Sequence, residues 1–426
     1  MRIPSEIFDH LQYLYDKTGF SDHQLHFVIE FENNINTEVL EKAVRQLVKI
    51  IPILSRIYLN FDGKSYWEDS STNIWKDLFT VVYTKEDFNR FTLGRTTEET
   101  GPQLKVCLMK SEKDALSIII NHMVTDGAGG KQCIYYLADL YSKMLIDPDY
   151  IPNYVINGDR SFHRIIEGLT FIEKFKILLS HNKENNQTCN FTFPMSKDDN
   201  ISPFLITHFI SKERFIKLRK YGKDNNATVN DLFLTAYFRA LAEMFKLHGK
   251  DISFPIMIDM RRYLQLNKTN SLTNLSSTVI VNTTVQKDEN FSQTLKKVST
   301  EMKAKKDNYL GLNTFLKLDA LYKIFGRTLG FKILKKALKN PSICMTNIGT
   351  LDDNLLKFEG SPMINAFAFG SIKYRPHFQV AVSSYDDKIT LSVNLYGSRQ
   401  DMDQINQFMA TMDHELKNAE GINQYL

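Results

Sequence analysis

Residues 115–130, ALSIIINHMVTDGAGG, constrain the fold more than any other stretch of this chain. Residues 115–121 are a nearly uninterrupted apolar run ending in three isoleucines, which predicts a strand buried on both faces. From about Gly129 the spacing becomes helical, with Ile134, Leu137, Ala138, Tyr141 and Leu145 sharing one side. Between strand and helix lies a tight turn carrying His122, Asp126 and Gly127. A histidine there is held rigidly and faces whatever cleft opens at that sheet edge. Neutral imidazole has an ordinary pKa near 6.5, so it can take a proton from a hydroxyl or an amine at neutral pH. Asp126 could bond the ring or pair with an arginine. Gly127 is expected to supply a positive φ for the sharp turn.

At 426 residues the chain is long for one core and comfortable for two lobes. A hydrophobic content of 43% and a charged content of 24% are ordinary for a folded protein, so disorder is not the default. A net charge of +4 is small for this length and gives no pointer to nucleic acid. Cys107, Cys133, Cys189 and Cys344 are far apart and lack metal-ligand spacing, which fits a reducing compartment and a cytoplasmic location. The first residues have no signal-like apolar stretch, and no apolar run has the length of a membrane span. Gly-x-Ser-x-Gly and phosphate-loop patterns are absent as well.

Along the chain, residues 3–23 read as a helix or lead-in, 25–31 as a strand, and 37–50 as a helix capped by Asn36. Pro52 ends that helix and a strand is expected over 53–59. Asp62-Gly63 reads as a hairpin turn. Residues 84–101 look like polar loop, and 104–109 should pair with the strand leading to His122. A Pro-, Asn- and Asp-rich text with a helix at 162–180 marks a crossover over 148–202, least structured at 181–200. It separates an N-terminal lobe, 1–147, from a C-terminal lobe, 203–426. The second lobe restarts with a strand at 204–210, a helix capped by Ser211, and a longer one opened by Thr228 and Asp231. Strands are expected at 252–259, 272–285, 342–348, 363–372, 377–385 and 388–396. Helix 291–306 and segment 322–339 are cationic on one side, and a helix over 401–418 closes the chain. A solvated basic face accounts for 322–339; an anionic membrane or coenzyme A phosphates are the other candidates.

Asn-His-x-x-x-Asp-Gly at a strand-to-helix junction resembles the HHxxxDG signature of the condensation-domain and chloramphenicol-acetyltransferase-like acyltransferase superfamily. That group holds alcohol acetyltransferases, polyketide-associated acyltransferases, wax ester synthases and peptide-synthetase condensation domains. Pro52, Ile53, Leu54 and Arg56 are similar to its HPxLR-like element. TVNDLFL resembles a wax-ester-synthase helix, and 272–285 resembles its GNxxS-like strand. The resemblance implies an α/β (α+β) fold of two lobes meeting in a V, each with mixed sheet flanked by helices. It makes His122 the catalytic base, with Asp126 held away from the imidazole by Arg261. Asn121 replaces the family's first histidine; it, Ser276, Ser342 and Asn347 are expected to line a channel.

The implied reaction moves an acyl group from a thioester, acyl-CoA or an acyl carrier protein in trans, to an alcohol or amine. No bound cofactor or metal is implied, and a monomer is expected. The alternative is a catalytically silent binding or scaffold protein that keeps the fold, which Asn121 leaves open. Hydrolysis of the thioester is a third reading.

Overall fold

The computed structural model describes residues 2–61, 64–70, 73–180, 189–264, 270–307 and 309–419. The expected Asp62-Gly63 turn and residues 181–188 of the polar crossover lie outside them. The chain is built on two large mixed sheets with helices against them. The first has five strands in the order Met363–Phe369, Gln24–Phe31, Ala115–Asn121, Leu104–Met109 and Phe79–Val82. The second runs Ser276–Thr284, Asp251–Asp259, Ile343–Leu351, Phe378–Tyr385 and Lys388–Gly397; Lys373–Tyr374 and Ser202–Ile210 both pair with its last strand.

The apolar run becomes the central strand of the first sheet because both its faces can be covered. Every residue of Ala115–Asn121 is buried, between antiparallel neighbours on either side. The helix Gly127–Ile146 packs Ile134, Leu137, Ala138 and Tyr141 into the same core as the helix Thr37–Ile50. Local caps set the helix starts. Asn36 accepts from the Val39 N–H at 3.1 Å, and Thr228 and Asp231 cap the helix Val229–Met244 reciprocally. At Asp386-Asp387 both residues take positive φ, as a two-residue hairpin requires.

One strand crosses over. Met363–Phe369, from the second half of the chain, adds to the first sheet by pairing antiparallel with Gln24–Phe31. A bridge between Ser21 and Lys373 ties the sheets together again. The two halves are thus interlocked where their sheets approach.

Several local expectations need correction. Residues 84–101 are not all loop: Lys85–Thr92 is a helix, capped by Thr84, that turns Phe88 inward. Pro52 opens a 3-10 turn, Pro52–Ser55, so the following strand begins only at Arg56. The helix expected over 162–180 is two, His163–Ile166 and Phe171–Ser180, because Thr170 and Glu173 start a new one. The segment 322–339 belongs to Leu312–Ala337, which is kinked at Gly326, where φ is 68°.

Candidate active site

His122 follows the last residue of the central strand, and its backbone N–H donates to the His23 carbonyl at 2.8 Å. Four residues later Asp126 caps the helix Gly127–Ile146, accepting from the Gly129 N–H at 3.0 Å. Its other oxygen accepts from Arg261 Nη1 at 2.8 Å and from the Leu275 N–H at 2.7 Å. Arg261 also donates to Asp259 Oδ1 at 3.0 Å and to the Thr273 carbonyl at 3.0 Å. Burial alone would raise the Asp126 pKa, but the guanidinium charge and these hydrogen bonds outweigh it and hold the carboxyl below its usual range. Its oxygens are committed to the scaffold. Asp126 therefore locks the turn to the second half of the chain.

The imidazole behaves differently. Burial is the main cause that lowers the His122 pKa to about 4, with the charge of Lys373 acting the same way and Asp126 opposing. At neutral pH the ring is uncharged, the state a proton acceptor needs. Asn274 Nδ2 lies 3.2 Å from His122 Nδ1 and 3.3 Å from its carbonyl oxygen. The Asn274 carbonyl oxygen is occupied by the Ser276 hydroxyl at 2.8 Å, which fixes the amide's orientation.

A second arginine braces the turn from the other side. Arg160 makes a bidentate pair with buried Asp9, at 3.0 and 2.9 Å, and donates to the carbonyl of Met123 at 3.2 Å. It also reaches the Leu272 carbonyl at 2.9 Å. Arg160, Asn274 and Lys373 carry no local sequence signal of this role; each comes from a segment far from His122 in the chain.

His122 lines a cavity of about 180 Å³ whose walls come from both halves. Phe8, Leu11, Tyr15, Phe20 and Leu25 form an apolar side. Ser276, Thr346, Asn347 and Gln379 supply polar groups, together with Gly127 and Lys373. Of the expected lining residues, Ser276 and Asn347 are therefore on its walls. Asn121 is not: its buried amide donates to Gln103 at 2.8 Å and accepts from the Met123 N–H at 2.9 Å, so it is turned into the structure behind the turn. Ser342 is also absent from the walls; it precedes the strand Ile343–Leu351, and its carbonyl accepts from the Phe378 N–H.

Gly127 needs correction too. It is the first helical residue and has no positive φ. The steric demand for glycine falls on Gly129 and Gly130. A Cβ on Gly129 would lie 2.1 Å from Thr125 Oγ1, and one on Gly130 would lie 2.8 Å from the Phe27 ring. Among the described residues no group of three or more His, Cys, Asp or Glu side chains could hold a metal, and no helix is long and apolar enough to cross a membrane.

Residues 272–419 match the WS/DGAT C-terminal domain. A search of curated protein sequences finds no match. Solved structures match along nearly the whole chain. The first condensation domain of the calcium-dependent antibiotic synthetase, in complex with a substrate analogue, has a TM-score of 0.72 at 12% identity, over 99% of this chain and 97% of that one. Trichothecene 15-O-acetyltransferase from Fusarium sporotrichioides gives 0.71 at 13% identity, over 98% and 95%. Polyketide synthase associated protein 5 from Mycobacterium tuberculosis gives 0.68 at 12% identity, over 95% and 96%. At these identities the likeness is one of fold. The fold is thus the one shared by condensation domains and these acetyltransferases, and residues 272–419 carry the sequence pattern of the WS/DGAT C-terminal domain.

Proposed function

We propose that this protein is an acyltransferase that moves an acyl group from a thioester, acyl-CoA or an acyl carrier protein, to an alcohol or amine, with His122 as general base. The observation that carries this reading is an uncharged histidine on the wall of a cavity, on a turn fixed by two buried arginine–aspartate pairs. In the working tautomer Nδ1 carries the ring proton, directed to the residue's own carbonyl, and the Asn274 amide donates to that carbonyl rather than to the ring, which leaves Nε2 bare. The acceptor's O–H or N–H bond breaks toward Nε2 as its lone pair attacks the thioester carbonyl. The C–S bond then breaks, and the departing thiolate takes the proton back. General base catalysis of this kind is worth about 10²–10⁴ in rate, and holding both reactants together supplies more. Asp126 relays no proton in this scheme.

The silent-scaffold reading rests on Asn121. That side chain faces Gln103 rather than the cavity, so its identity bears on the support of the turn and not on proton transfer. The test is direct. Purified protein, given acyl-CoA and a panel of alcohols and amines, should release free thiol only when an acceptor is present. His122→Ala should abolish the release while the circular dichroism spectrum stays unchanged. Equal turnover in the variant removes His122 from the mechanism, and acceptor-independent release makes the protein a thioesterase.

A further inference from the structure

The cavity beside His122 holds four other ionisable side chains of acid or lysine type: Asp126, Asp259, Lys131 and Lys373. Both carboxylates are bound to Arg261. Lys131 donates to the Thr350 carbonyl at 3.2 Å. Lys373 is different. Its residue is 4% exposed, its Nζ sits 4.0 Å above the centre of the Phe20 ring, and among the described residues it has neither a carboxylate partner nor a side-chain hydrogen bond. The acid nearest in effect, Asp22, has one oxygen taken by the backbone N–H groups of Gln24 and Ile372; the other has no hydrogen-bond partner among the described residues, and burial pushes its pKa up to about 6. Neither oxygen makes a hydrogen bond or an ion pair with Lys373 among the described residues.

A second donor lies unused on the same wall. Gln379 is 5% exposed, and among the described residues its amide nitrogen finds only the thioether of Met257, at 3.9 Å. Its side chain packs against the backbone at Gly370, three residues before Lys373, and Gly370 lines the cavity as well. A buried ammonium group held only by a ring face is costly, and one aimed into a cavity recovers that cost when an anion enters. A carboxylate has the size and charge for one ammonium and one amide N–H. The apolar lining residues Phe8, Leu11 and Tyr15 suit an apolar remainder.

We propose that Lys373, with Gln379, is a binding site for the carboxylate of a substrate whose remainder is apolar. In the acyl-transfer reading, on which this step rests for its reaction, the carboxylate belongs either to a hydroxy- or amino-acid acceptor or to a dicarboxylic acyl thioester.

The binding arm is independent of turnover. 3-Phenylpropanoate and its amide, which share one shape, are titrated calorimetrically into wild type, His122→Ala, Lys373→Met and Lys373→Gln. Wild type and His122→Ala should bind the acid about ten- to a hundredfold tighter than the amide. Both Lys373 variants should lose that preference; the second guards against a folding defect in the first, and near-UV circular dichroism reports on both. Equal binding of acid and amide by wild type, or a preference that survives in the Lys373 variants, overturns the proposal.

The turnover arms locate the carboxylate. Acetyl-CoA is offered with 3-phenyllactate or its amide, and succinyl-CoA or butyryl-CoA is offered with butanol. A preference in the first pair puts the carboxylate on the acceptor, and one in the second puts it on the acyl group. Turnover without preference in either pair overturns the proposal. Acid-selective binding without any turnover overturns acyl transfer and leaves the anion site standing.

Discussion

Replacing Arg261 by methionine tests the lock between the histidine turn and the second half of the chain. The Asp126 side chain is 4% exposed and that of Arg261 12%, so this is a buried pair. Removing one partner of such a pair costs about 3–5 kcal/mol, because the other charge stays buried. Asp126 would keep the N–H groups of Gly129 and Leu275, which places the loss near the lower end, about 3 kcal/mol.

The pH dependence separates this cause from mere loss of packing. In the wild type the Asp126 pKa is depressed, so its contribution is complete above the unfolded value, near 3.9, and is lost as pH falls through the folded one. Without Arg261, burial is opposed only by the Gly129 and Leu275 N–H groups, and the folded pKa should rise above the unfolded value. Neutral pH then forces an unpaired charge, at about 1.4 kcal/mol for each unit of that rise. The deficit of Arg261→Met should therefore be larger at pH 7.5 than at pH 5. Asp126→Asn in the same background should recover most of it. Urea denaturation followed by far-UV circular dichroism at the two pH values measures both. A deficit below about 1 kcal/mol would refute the pairing as a source of stability. A deficit that is equal at both pH values, or one that the Asp126→Asn change does not relieve, would refute the buried charge as its cause.

Three further outcomes follow from the site. With the His122 pKa lowered to about 4, kcat/KM for acyl transfer should be flat through neutral pH and fall only as the ring protonates near that value; a limb near 6.5 would contradict it. Arg160→Gln should lower kcat more than it raises KM in a steady-state assay, because Arg160 braces the turn behind His122 through the Met123 carbonyl. Gly130→Ala should cost about 1–3 kcal/mol in the same urea assay, since its Cβ would lie 2.8 Å from the Phe27 ring.

What can be read from the sequence is what neighbouring residues decide among themselves. The central strand is readable because burial on both faces requires an apolar residue at nearly every position, and the run ending in three isoleucines meets that condition. Asn36, Ser211 and Thr228 are readable as caps because a cap and its N–H partner lie three residues apart. The helix Lys85–Thr92 escapes because eight residues, with Phe88 as their one buried large side chain, show too little period; its Thr84–Asp87 cap is the available signal. Likewise Thr170 and Glu173, a cap in plain view, divide an apolar pattern over 162–180 that looks continuous only when the caps are ignored.

The candidate site divides along the same line. His122 and Asp126 stand in one motif, but what makes the motif work comes from elsewhere. Arg160 lies on the crossover, Arg261 follows a strand of the second sheet, Asn274 precedes another, and Lys373 sits on the short strand beside the bridge to Ser21. Each contact exists because Met363–Phe369 and the crossover hold the two halves together, so no periodicity within one segment encodes it. Arg261 is legible only because a family resemblance supplies the long-range pairing. Arg160, Asn274 and Lys373 have no such guide. A change that loosens the junction without touching His122 should therefore disturb the His122 turn, its brace and the cavity together, since all three are made at that junction.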